Sequence, residues 1–147
     1  MKFRILVSVT SLAVVLAVNP VFSQSAESTK LGDAQYEPRV GQSGKDVIWV
    51  PTNDAVADAM LKVAKVKSTD LVYDLGAGDG KIAIAAAKNF GATAVGVEYN
   101  KDMAELATRN TQRAGVADKV KIIHGDIFVE DFSKAIREYL HLHNILR

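Results

Sequence analysis

Between Leu71 and His124 the apolar positions follow two rhythms in turn. Compact apolar runs at Leu71–Leu75, Ala94–Glu98 and Val120–His124 predict short strands buried in a sheet, and the stretches between them space their apolar residues as helices do. Lys81 to Phe90 predicts a helix with Ile82, Ala85, Ala86 and Phe90 facing inward. Asn100 predicts the cap of the next, with Met103, Leu106, Ala107, Asn110 and Ala114 on one stripe and Gly115 ending it. Upstream, Asn53 is placed to cap a helix and Asp54 to complement its dipole, with Val56, Met60, Val63 and Ala64 forming one face. Short strands separated by helices of this length make βαβ units, so the expected class is α/β with a parallel sheet.

The two ends of the chain break this rhythm. Lys2 and Arg4 precede an apolar stretch from Ile5 to Val18, and small residues lead up to Ser23, the pattern of a secretory signal over 1–23 cleaved after Ser23. Cleavage makes the protein periplasmic or secreted; an uncleaved segment would anchor it to a membrane, although the stretch falls short of the ~20 apolar residues a span needs. Residues 24–45 are polar, dotted with glycine and aperiodic, a linker or flexible arm with no assigned chemistry. Val47 to Val50 form a short apolar anchor in which Trp49 is expected to serve as a core or docking residue. At the other end, residues 136–147 form an atypical tail. Ile136, Tyr139, Leu140 and His143 suit a helix capped by Ser133, which is the expectation, while the alternation from Leu140 to His143 suits a strand. His141 and His143 have no third ligand nearby and are expected at the surface, so no metal site is assigned.

Composition narrows the partners. With 18 basic and 17 acidic residues the formal charge is +1, which offers no electrostatic footprint for nucleic acid. The absence of cysteine removes disulfides and thiolate chemistry together.

The chemistry concentrates where the predicted strands end, the edge at which open parallel sheets bind ligands. The first strand runs into Asp74-Leu75-Gly76-Ala77-Gly78-Asp79-Gly80, the second ends at Glu98 and the third at Gly125-Asp126. Gly76 permits a sharp exit, Gly78 lets backbone approach a ligand, Gly80 lets the next helix pack close to the sheet, and the turn aims the free backbone amides of that helix at whatever lies above it. The spacing is G-x-G-x-G, not the dinucleotide G-x-G-x-x-G, and no G-K-[ST] follows to make a phosphate loop. Asp74, Asp79, Glu98 and Asp126 would repel a pyrophosphate and favour a cationic ligand carrying a ribose and an amino group.

"LVYDLGAGDG" with "AVGVEYN" and "IIHGDIF" resembles the first three strand ends of class I S-adenosylmethionine-dependent methyltransferases. "VIWVPTNDAVADAMLKVAKVK" is similar, more narrowly, to a small group of bacterial and mitochondrial protein-lysine methyltransferases. The resemblance covers 46–135 and implies a Rossmann-like parallel sheet, the amino-terminal half of that fold. It implies S-adenosyl-L-methionine as cofactor, with Asp74 and the turn residues Gly76, Ala77, Gly78 and Gly80 at the methionine end. Glu98, followed by Tyr99, would take the ribose hydroxyls, and Asp126 the adenine amino group with Ile127 flanking the ring. The implied activity is methyl transfer to an acceptor, a protein lysine being the one the resemblance favours.

No residue stands out as a general base, so catalytic residues are unassigned. In that family the first strand lies between the second and a fourth, so a chain truncated after the third strand is expected to leave the first as an open edge inviting self-association. A non-catalytic cofactor-binding module is the alternative function, and a nucleotide-dependent oxidoreductase is disfavoured by the glycine spacing.

Overall fold

The computed structural model describes residues 31–135 and the strand 137–140. The signal segment, His141 and His143 lie outside the described residues. The elements run α1 (Asp54–Val63), β1 (Leu71–Leu75), α2 (Lys81–Phe90), β2 (Thr93–Glu98), α3 (Lys101–Arg113), β3 (Val120–His124) and β4 (Arg137–Leu140). Three of the helix ends carry the capping chemistry their sequence offers. Asn53 and Asn100 cap α1 and α3 through their side chains, and Gly91, at φ 72°, closes α2 in the left-handed conformation.

The sheet order is β3-β2-β1-β4, with every pairing parallel. Register places Asp74 opposite Gly96 and Glu98 opposite His124, so the three strand ends that carry the acids lie side by side. β4 corrects two expectations. Residues 137–140 form a strand where the apolar spacing favours a helix, and they pair along β1 from Val72↔Arg137 to Leu75↔Leu140, covering the edge expected to be open. A row of unpaired backbone groups on β1 is a strong template for a strand, and it outweighs the helical spacing of a few apolar residues in the tail.

Alternation along β1 divides the core. Val72 joins Ala94 and Val120 in a cluster with α1 and α2, while Tyr73 and Leu75 join Val97 on the opposite face with Ile127 and Phe132. Helix α2 buries Ile82, Ala83, Ala86 and Ala87 and leaves Ala85 and Phe90 half-buried, a slightly rotated version of the expected face. The rotation of α1 is larger. It buries Ala57 and Leu61, whereas Val56 is 50% and Val63 83% exposed. Spacing alone permits either stripe; the narrow Ala57 side lets α1 approach the alanine face of α2, which the branched Val56 side would hold off.

Candidate functional site

The glycine turn is held from beneath by β2. The amides of Gly76 and Ala77 both donate to the Val97 carbonyl at 2.9 Å, and the Gly78 amide donates to Glu98 Oε2 at 2.9 Å. These three turn amides are taken by β2, because parallel pairing of β1 with β2 brings acceptors under them; the amides expected to face a ligand are those of the helix that follows. Gly76, Gly78 and Gly80 all have positive φ, at 88°, 55° and 83°. A Cβ at Gly78 would lie 2.6 Å from Trp49 Nε1, so Trp49 docks on the turn, as an anchor residue should. Gly80 is close to α3 rather than to the sheet: a Cβ there would meet Ala107 Cβ at 3.1 Å. Its role is helix packing, and it lines neither cavity of the site described below.

Glu98 divides its carboxylate between two neighbours. Oε2 takes the Gly78 amide and Oε1 takes the Asn100 amide at 2.8 Å, which leaves lone pairs on both oxygens for further donors. Asp126 accepts from the Phe128 amide at 3.0 Å and from Lys45 Nζ at 2.5 Å. The ammonium beside it, together with that amide, holds the Asp126 carboxyl below its ordinary range, and Asp126 in turn raises Lys45.

Asp74 is the anomaly of the site. It is 1% exposed, and neither carboxylate oxygen accepts a well-formed hydrogen bond among the described residues, the Ala83 amide only approaching it. Burial pushes it up to about 7, a rise that the Ala83 amide in the first turn of α2 opposes and the nearby charges of Asp79 and Glu98 reinforce. A buried carboxylate in this state is a receptor for a positive charge or a hydrogen-bond donor. Asp79, raised mainly by burial, borders both the small recess over Asp74 and a separate cavity between α1 and α2, where Lys81 pairs with Asp54 at 2.8 Å. All four expected acids therefore border the cleft, Asp79 at its edge, and Lys81 at the start of α2 is partly buried.

These groups meet in a cavity of about 120 Å³ that brings Gly76, Glu98, Tyr99, Asp126 and Ile127 together with Phe128. A smaller recess of about 10 Å³ continues beside it over Asp74, Gly76, Ala77 and Gly78. The far wall of both comes from residues 44–52, part of which belongs to the arm that carries no chemistry on its sequence alone. Lys45 and Phe128 line the cavity without having been singled out in the sequence, and Trp49, expected as an anchor, also forms part of its wall. The only signal for Phe128 is an aromatic residue two positions beyond Asp126, and Lys45 has none.

Comparison with known proteins follows the same residues. A family model described as the ANTKMT methyltransferase domain matches residues 74–144. A protein-lysine N-methyltransferase of Saccharolobus islandicus is 46% identical over 90 residues, 60% of this chain and 56% of that protein. A human lysine N-methyltransferase named for an ATP synthase subunit is 35% identical over 86 residues, 58% of this chain and 36% of its own length. An RNA methyltransferase from Salinibacter ruber, solved in complex with S-adenosyl-L-homocysteine, is 47% identical with a TM-score of 0.61, covering 62% of this chain and 60% of that one. The chain carries a class I S-adenosylmethionine-dependent methyltransferase fold.

It is related to small lysine-methyltransferase-like proteins and spans less than two thirds of the length of the relatives it matches. Within this methyltransferase fold the acids of β1, β2 and the β3 exit stand in sequence along one rim, from the buried Asp74 through Glu98 to the more open Asp126. The donor set suits a sulfonium nucleoside: a buried carboxylate with no well-formed hydrogen bond, a second with spare lone pairs over the glycine turn, and a third in a cavity that Tyr99 and Phe128 also line.

Proposed function

We propose that this protein binds S-adenosyl-L-methionine along that rim and transfers its methyl group to a lysine side chain of a protein. The observation that carries the reading is the buried carboxylate of Asp74, with no well-formed hydrogen bond, set in line with Glu98 and Asp126. Asp74 meets the ammonium of the methionine end, Glu98 accepts the ribose hydroxyls with the lone pairs its two backbone donors leave free, and Asp126 takes the adenine amino group. Gly76, Ala77 and Gly78 floor the cleft, Tyr99 and Ile127 flank the base, and Gly80 fixes the helix that carries the turn.

When bound, the cofactor supplies a methyl group made electrophilic by the adjoining sulfonium. The chain's part is positioning and exclusion of water, which together account for much of the rate of a simple displacement. Trp49, lying against Gly78, supplies wall to both the cavity and the recess beside it. The names of the relatives in Saccharolobus islandicus and human support a protein lysine as acceptor, and the near-neutral charge of +1 argues against a polyanionic one. The test is incubation of the full chain with methyl-labelled S-adenosylmethionine and either protein or RNA extract. Label in lysine of a protein band is the expected result; label in RNA alone, or none with bound cofactor, overturns the acceptor or the transfer respectively.

A further inference from the structure

Residues 41–50 form a small self-contained hairpin. The Gly41 amide donates to the Trp49 carbonyl at 2.8 Å, the Trp49 amide to the Gln42 carbonyl at 2.9 Å, and Ser43 bridges Ile48 antiparallel. Its tip carries Lys45 across the mouth of the cleft to Asp126. There the ammonium lies 5.4 Å from the Tyr99 ring centroid and 5.2 Å from that of Phe128, a cation held by a carboxylate between two aromatic rings. The segment leading to the hairpin is pinned elsewhere: Asp33 accepts from Arg109 Nε at 2.6 Å and from Arg113 at 2.9 Å on α3. At Gly41, φ is 82° and, chain neighbours aside, no atom lies within 4 Å of where a Cβ would stand, so a turn there meets no steric bar and costs the bonds that tie Gln42 to Arg39 and to the Tyr36 hydroxyl.

The hairpin stands where the nucleoside of the proposed cofactor belongs. Lys45 holds the oxygen of Asp126 that an adenine amino group would use, and an ammonium is a stronger partner for a carboxylate than a neutral amine is. The cavity of about 120 Å³ that remains is well below the ~300 Å³ at the lower end of small-molecule sites. Over Asp74 the recess shrinks to about 10 Å³, roughly the room for one water.

We propose that residues 41–50 are a strap over the cofactor cleft, latched by Lys45 on Asp126, which must swing away from Asp126 before a nucleoside can enter. This rests on the reading of the cleft as an S-adenosylmethionine site. The strap bends at Gly41 while the Asp33 clamp keeps its upstream end on α3, so opening displaces the tip and not the whole arm. Asp126 is the shared element: it accepts the chain's own cation when the cleft is closed and the ligand's amino group when it is loaded.

Trp49 is the single tryptophan and sits in the strap, so its emission reports the latch with or without ligand. The experiment compares the full chain with Lys45→Ala and Lys45→Arg, reading Trp49 emission and iodide quenching, then titrating 5′-methylthioadenosine, a neutral nucleoside without the methionine tail. Lys45→Ala is expected to shift Trp49 emission to the red, raise quenching, and bind the nucleoside roughly tenfold more tightly, while Lys45→Arg behaves as the parent. If the parent binds nucleoside and Lys45→Ala changes neither emission nor affinity, the latch is overturned and the cofactor reading stands. If no form binds nucleoside, the cofactor reading fails and takes the gating role of the strap with it.

Discussion

Glu98 ties the glycine turn to the second strand: its Oε2 accepts the Gly78 amide at 2.9 Å while its Oε1 is held by the Asn100 amide at 2.8 Å. One side chain thus fixes the turn, the start of α3 and the proposed ribose contact. Glu98→Ala should destabilise the protein by about 1–3 kcal/mol, since two amides lose a charged acceptor, and should weaken cofactor binding at least tenfold. Chemical denaturation and calorimetry on the same preparation check both, and loss of binding without any loss of stability would detach Glu98 from the turn.

Gly78 has a second constraint from above. Alanine there must adopt φ 55° and place its Cβ 2.6 Å from Trp49 Nε1. Gly78→Ala is expected to cost about 1–3 kcal/mol of stability and to push the indole off the turn, seen as a red shift in tryptophan emission. Unchanged emission would contradict the packing of Trp49 on the turn.

Asp74 makes stability depend on pH in a defined direction. Its folded value is raised from 3.8 to about 7, so between these limits the folded state keeps a proton that the unfolded chain has released. Its contribution is complete below about pH 4, falls as pH rises, and is lost above about pH 7. Asp74→Asn should remove this slope, which amounts to roughly 4 kcal/mol at most for a shift of this size. Denaturation midpoints of parent and variant from pH 4 to 8 check it, and parallel profiles would rule it out.

The arm clamp titrates in the opposite sense. The Arg109 guanidinium, with help from Arg113, holds Asp33 well below the usual carboxylate range. The clamp is therefore intact above the ordinary aspartate range and weakens as pH falls through the lowered value. Asp33→Ala should open residues 31–45 to proteolysis at neutral pH while leaving the sheet protected in hydrogen exchange. Equal cleavage of parent and variant would show that the arm is held by other contacts.

Strands and helices from Asn53 to His124 are legible in the sequence because each is short, apolar on a regular period and punctuated by a residue with capping chemistry. The face of α1 is not, since Ala57-Leu61 and Val56-Met60 satisfy the same spacing and the choice belongs to α2. Nor is β4, whose strand state comes from the edge it covers on β1 rather than from its own four residues. In the site, Asp74, Glu98 and Asp126 can be read because strand ends of a parallel sheet converge. Lys45 cannot: its meeting with Asp126 spans 81 residues, and no local pattern encodes so distant a pair.

Calorimetric titration of the full chain with S-adenosylhomocysteine, set beside Glu98→Ala and Asp126→Ala, tests the central claim most directly. Stoichiometric binding near micromolar affinity, about 8 kcal/mol, is expected for the parent and should be lost or much reduced in both variants. No heat with the parent, or equal affinity in all three proteins, would contradict the assignment of this rim of carboxylates as a cofactor site.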